Sequence, residues 1–139
     1  MFKRIVLVSV ATIFFFVSPF SAAQKPPAKQ LHVTSVKLTL DSAFQNYKGA
    51  CPVIILFNGD ITANAKGTVR YTYQKSTGGP SPQYAITFGG PGTREVRPLR
   101  WRIVQSTSGW AALKPLPPHG YISSTRTFFH ITCTGHLTK

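Results

Sequence analysis

Acidic side chains are almost missing from this 139-residue chain: only Asp41, Asp60 and Glu95 stand against 16 lysines and arginines, for a formal net charge of +13. No two of the three carboxylates are neighbours in sequence, which leaves little basis for a paired-carboxylate mechanism of the glycosidase kind. A Gly-x-Ser-x-Gly elbow is also absent, so the serines and histidines form no recognisable hydrolase motif. Beyond the first residues no apolar run approaches the roughly 20 positions that span a bilayer. Nor does any window hold an apolar face at helical spacing, which excludes helical bundles and βαβ units. The expectation is a protein without a catalytic site, a cofactor or a metal.

The chain does have a distinctive start. Met1-Phe2-Lys3-Arg4 leads into an apolar stretch, Ile5 to Val17, interrupted by Ser9 and Thr12 and closed by Ser18-Pro19-Phe20-Ser21-Ala22-Ala23-Gln24. A basic n-region, an h-region and small residues at Ser21 and Ala23 predict a signal peptide over residues 1–23, cut after Ala23. The address read from it is secreted or periplasmic, with no transmembrane segment after cleavage. About 115 residues then remain, enough for one hydrophobic core and one domain. Losing Lys3 and Arg4 leaves 14 basic residues against 3 acidic ones, or +11. Such an excess attracts polyanions and repels other copies of the chain.

Cysteine is scarce, with Cys51 and Cys133 alone. In an oxidising compartment two thiols pair, and this pair would close most of the domain. On the chain-entropy model, a loop of roughly 80 residues corresponds to about 4.5 kcal/mol.

Residues 24–31, QKPPAKQL, are rich in proline and lysine and predict an extended linker. Residues 32–139 form the expected domain. There the chain alternates with period two, which predicts strands throughout. His32 to Leu40 turns Val36, Leu38 and Leu40 to one face. From Cys51 to Thr62 the positions Cys51, Val53, Ile55, Phe57, Gly59 and Ile61 share one parity, straight through Asn58-Gly59. That dipeptide ordinarily marks a hairpin; the unbroken phase instead predicts one long strand, with Gly59 at a close backbone approach. The turn is expected at Ala63 to Gly67. Further strands are expected at Gly67–Gln74, at Tyr84–Phe88, at Arg94–Val104 with an irregularity at Pro98, at Trp110–Leu116 and at Thr127–Cys133. The fold class is all-β: a seven-stranded antiparallel sandwich with one disulfide.

The segments Gly49-Ala50-Cys51-Pro52-Val53, Phe57-Asn58-Gly59-Asp60-Ile61, Gly67-Thr68-Val69-Arg70-Tyr71, Trp101 and Phe129-His130-Ile131-Thr132-Cys133 form a pattern. It is similar to that of secreted bacterial immunoglobulin-like or fibronectin type III-like domains. The resemblance implies an immunoglobulin-like sandwich and brings no active site with it. One departure is evident. The immunoglobulin bridge joins the second and sixth strands, whereas here the cysteines are expected to open the second strand and close the seventh.

His130, Cys133 and His136 have the spacing His-x-x-Cys-x-x-His, but on a strand Cys133 points away from both histidines, so convergence on a metal is not expected. The cations are the more informative feature. Arg94, Arg97, Arg100 and Arg102 crowd one segment, and Arg100 and Arg102 oppose the inward Trp101 and Ile103. In immunoglobulin order Lys37 shares their sheet, while Arg70, Lys114 and Arg126 line the outer face of the other sheet near Phe128. Outward cations keep a β-protein from pairing at its edges, and arginine also makes planar, bidentate contacts to phosphate or carboxylate. Arg70, Arg94, Arg97, Arg100, Arg102, Lys114 and Arg126 are therefore the candidate anion-binding residues. The partner expected is a polyanion such as lipopolysaccharide or an acidic glycan, with no sequence-specific nucleic acid. The alternative is an assembly subunit that pairs with a protein partner through a sheet edge. An enzyme or enzyme inhibitor acting through the Gly78–Pro82 or Pro117–Gly120 loop ranks last.

Overall fold

Period-two alternation becomes two packed sheets in the computed structural model, which describes residue 13 and residues 25–79, 81–120 and 122–136. Ile13 apart, the expected signal peptide lies outside the described residues. The elements run β1 (Val33–Leu40), α1 (Ser42–Gln45), β2 (Tyr47–Cys51), β3 (Val53–Ala63), β4 (Gly67–Lys75), β5 (Tyr84–Phe88), β6 (Gly92–Glu95), β7 (Leu99–Ile103), β8 (Thr107–Pro115) and β9 (Thr127–His136). One sheet is built on β3, with β1 along one side and β6 and β7 in succession along the other. The second has the order β2-β9-β8-β4-β5.

Nine strands among the described residues correct the expected seven, and one pairing corrects the expected antiparallel sheets. The extra strand β2 has the sequence YKGAC, which carries no alternation to read, and it joins β9 in parallel. The other additional strand comes from a division. Arg94–Val104 splits at Val96–Pro98 into β6 and β7, because proline has no N–H to give to a ladder. β3 is the unbroken 11-residue strand that its parity predicts. A Cβ on Gly59 would lie 2.9 Å from Leu113 Cδ2, 3.0 Å from Val96 Cγ2 and 3.1 Å from the Lys37 carbonyl. Three elements converge there, and glycine leaves them room.

The core lies between the sheets and is filled by the inward parity of most strands: Leu38 and Leu40, Ile55, Phe57 and Ile61, Val69, Tyr71 and Tyr73, Ile86 and Phe88, Ile103, Leu113, Phe129 and Ile131. Phe129 is the central contact across the gap, edge-on to Trp101 at 5.0 Å and to Phe57 at 6.2 Å between ring centroids. Such aromatic pairs add about 0.5–1.5 kcal/mol to the burial of their area. Leu31, assigned to the linker by composition, is buried with this core, while residues 25–30 are exposed and irregular. Asn64 fastens the entry to β1, since its side-chain oxygen accepts from the His32 N–H at 2.7 Å and its own N–H donates to the His32 carbonyl at 3.1 Å.

Cys51 and Cys133 are joined, with their Cα atoms 5.5 Å apart and a sequence separation of 82. Cys51 closes β2 instead of opening β3, so the bridge ties the parallel neighbours β2 and β9 within one sheet. It sits where the chain leaves that sheet for the other. The Thr127 hydroxyl adds a tie between the layers, donating to the Leu38 carbonyl at 2.9 Å.

Candidate functional site

The seven candidate cations do not form one surface. Their positions follow from strand parity and from the break at Pro98, and they fall into three groups.

Arg94 and Arg97 belong to the open side of the sandwich, where β6 faces β5 across the interlayer gap. Arg94 is in register with Ile61, a core residue, so its side chain starts on the inner side of its sheet. At the sheet edge it reaches across and donates to the Thr87 carbonyl on β5. Arg97 is held more fully. Its N–H donates to the Tyr71 hydroxyl at 3.0 Å, its carbonyl accepts from the Tyr73 hydroxyl, and its guanidinium lies 5.5 Å from the Tyr84 ring centroid. The three tyrosines pack together, with centroids 5.5–6.4 Å apart. Burial pushes the Tyr73 hydroxyl far above its ordinary pKa of 10.0, and the neighbouring Tyr71 and Tyr84 add to the rise. Both arginines therefore help to join the layers while remaining exposed.

Arg70, Lys114 and Arg126 lie on or beside the outer face of the five-stranded sheet. The Arg70 guanidinium donates to the Gln83 side-chain oxygen. Arg126, just ahead of β9, stacks 4.1 Å above the Trp110 ring. Lys114 is half-buried in register with Thr72. Trp110 is in register with Phe128, which is 62% exposed, and Ser108 with His130. The Ser108 hydroxyl is hydrogen-bonded to His130 Nδ1, and Thr132 approaches the other ring nitrogen at 3.4 Å. Among the described residues no carboxylate takes part in this row, and the sulfur of Cys133 is committed to its disulfide, so the His-x-x-Cys-x-x-His spacing has lost its central ligand.

Arg100 and Arg102 form the third group, on the outer face of the sheet built on β3, together with Lys37 as expected. Both are exposed, and among the described residues no hydrogen bond or aromatic stack holds either guanidinium. Arg100 is in register with Leu56, and Arg102 with Ile54. Those two side chains were missed by a reading that looked for inward residues. They are 42% and 45% exposed, and Val104, just beyond β7, is 55% exposed. The available signal is the run Val53–Phe57, apolar at all five positions, whereas a strand with one solvated face needs only alternate ones.

A second pairing escaped sequence reasoning. Asp60 and Glu95, 35 positions apart, are in register on β3 and β6 at the far end of the same outer face, and they line a shallow pocket of about 250 Å³ with Thr39, Asn58 and Pro98. Lys37 is in register with Asp60 on the other side. The face is thus polarised, acidic toward Asp60 and Glu95, basic and aliphatic toward Arg100 and Arg102.

Comparison with known proteins yields no matching family model, no matching curated protein and no matching solved structure. Among the described residues no helix is long and apolar enough to cross a membrane. The site therefore has to be read from its own geometry. Arg100 and Arg102 leave β7 on one face about 7 Å apart along the strand, and guanidinium groups make planar, bidentate contacts to phosphate or carboxylate.

Proposed function

We propose that this chain is an exported, non-enzymatic, immunoglobulin-like binding module that recognises anionic cell-envelope or extracellular polymers through its basic surface. Strand order supports the immunoglobulin-like part of this reading: β9-β8-β4-β5 follows the sequence of a G-F-C-C′ sheet in variable-type immunoglobulin domains, and β1, β3 and β6 with β7 stand in the places of A, B and E. The bridge differs from the family hallmark, since it joins neighbours in one sheet. A disulfide closing 82 residues is compatible with an oxidising compartment and supports the extracytoplasmic part of the reading.

The observation that carries the anion reading is the placement of Arg100 and Arg102. They are outward and, among the described residues, without internal partners in a chain of net charge +13, while four other candidate arginines are engaged with protein groups. Binding should be electrostatic and weaken steeply with salt. The test is retention of the purified domain on immobilised heparin and on lipopolysaccharide. Wild-type protein should elute only at raised salt, and Arg100→Ala/Arg102→Ala should elute clearly earlier than Arg94→Ala/Arg97→Ala. Equal elution of the two double variants, or no retention at low salt, refutes the assignment.

A further inference from the structure

An acidic polymer needs cations alone, yet this surface alternates them with exposed aliphatic side chains. Ile54 and Leu56 stand on the outward parity of β3, and Arg102 and Arg100 face them from β7. The spacing between paired strands is about 5 Å and between alternate residues along a strand about 7 Å, so the four side chains rise from one small rectangle. Val104 extends it at the end of β7. On the far side of β3 no strand among the described residues covers this end, because β1 ends at Leu40, opposite Phe57, and the chain turns away into α1. Asp41, the next residue, turns its carboxylate onto the Ala43 N–H at 2.9 Å. The other two carboxylates are at the opposite end of the face.

We infer that this rectangle is a docking surface for a bilayer that carries net-anionic phospholipid headgroups, with Ile54, Leu56 and Val104 entering the headgroup layer while Arg100 and Arg102 engage phosphate. The inference rests on the anion-binding reading and adds the class of partner. Charge complementarity selects the occupant. Like-charge repulsion from the remaining cations disfavours a second copy of the chain, and a neutral protein partner would leave two guanidinium groups under cover without an anion. A phosphate layer above an acyl layer offers both halves of what the rectangle presents. Guanidinium groups bind phosphate in a planar, bidentate manner, and aliphatic side chains gain by leaving water.

The test is co-sedimentation with vesicles of phosphatidylcholine alone and of phosphatidylcholine mixed with phosphatidylglycerol, run beside the heparin column. Wild-type protein should pellet with the mixed vesicles only. Arg100→Ala/Arg102→Ala should weaken that partition roughly thirtyfold, from about fivefold per cation near an anionic surface. Ile54→Thr/Leu56→Thr places β-branched side chains at both strand positions and should fold, which a urea midpoint near the wild-type value verifies. It should weaken vesicle binding about tenfold and leave heparin elution unchanged. Undiminished vesicle binding by the threonine variant overturns the bilayer assignment, as does heparin retention by a wild-type protein that ignores anionic vesicles. Loss of heparin retention in the wild type overturns the underlying anion reading instead.

Discussion

Arg94 and Arg97 lie within nine residues of Arg100 and Arg102, yet the two pairs have opposite roles. The first pair crosses from β6 and its exit toward β5 and the tyrosine cluster and helps to join the layers. The second pair points outward from β7 beside Ile54 and Leu56. Pro98 separates them: the break it imposes between β6 and β7 resets the parity, so one run of arginines serves the interior edge on one side and the surface on the other. Residue type and local density therefore predict little about role here. What decides it is which side of the sheet the parity selects, and how far the strand is from an edge.

Stability measurements can break this comparison, beginning with the frame both regions share. Cys51→Ser/Cys133→Ser should lower unfolding stability by about 2–5 kcal/mol, read from urea denaturation. A loss near zero would mean that the β2–β9 ladder holds without its bridge. Next comes Tyr71→Phe/Tyr73→Phe, which leaves the Arg97 N–H and carbonyl without their partners and should cost about 1–3 kcal/mol in all. The same site has a pH signature. The folded protein holds the Tyr73 proton more tightly than the unfolded chain does, so this contribution to stability is complete below pH 10.0 and declines as the pH rises above it. Tyr73→Phe should remove that part of the alkaline decline, and an unchanged slope would refute the assignment. Smallest is the direct contrast. Arg94→Ala should cost about 1 kcal/mol through the lost bond to Thr87, whereas Arg100→Ala/Arg102→Ala should stay within about 0.5 kcal/mol of wild type. Equal losses would erase the distinction between the two pairs.

The parts of the fold legible in the sequence are those where alternation is strong. β3, β4 and β9 carry their inward residues at the expected parity, and the long strand through Asn58-Gly59 was readable because its phase does not slip. β2 was not, because YKGAC has neither alternation nor β-branched residues, and its pairing with β9 depends on contacts some 80 residues distant. The same limit explains the misplacement of Cys51. Of the site, outward Arg100 and Arg102 followed from their neighbours Trp101 and Ile103. The inward start of Arg94, the partners of Arg97 and the Asp60–Glu95 pair are products of register between strands, which a single strand's pattern does not contain.

The parallel β2–β9 ladder has a further, kinetic consequence. Antiparallel neighbours such as β4 and β5 meet after a short loop, but residues 47–51 must find residues 131–136 across nearly the whole domain. Loop-closure entropy opposes that encounter until the rest of the sandwich has brought the two segments near each other. This ladder should therefore be the last to form during refolding, and in the oxidised protein the bridge spares the unfolded chain that search.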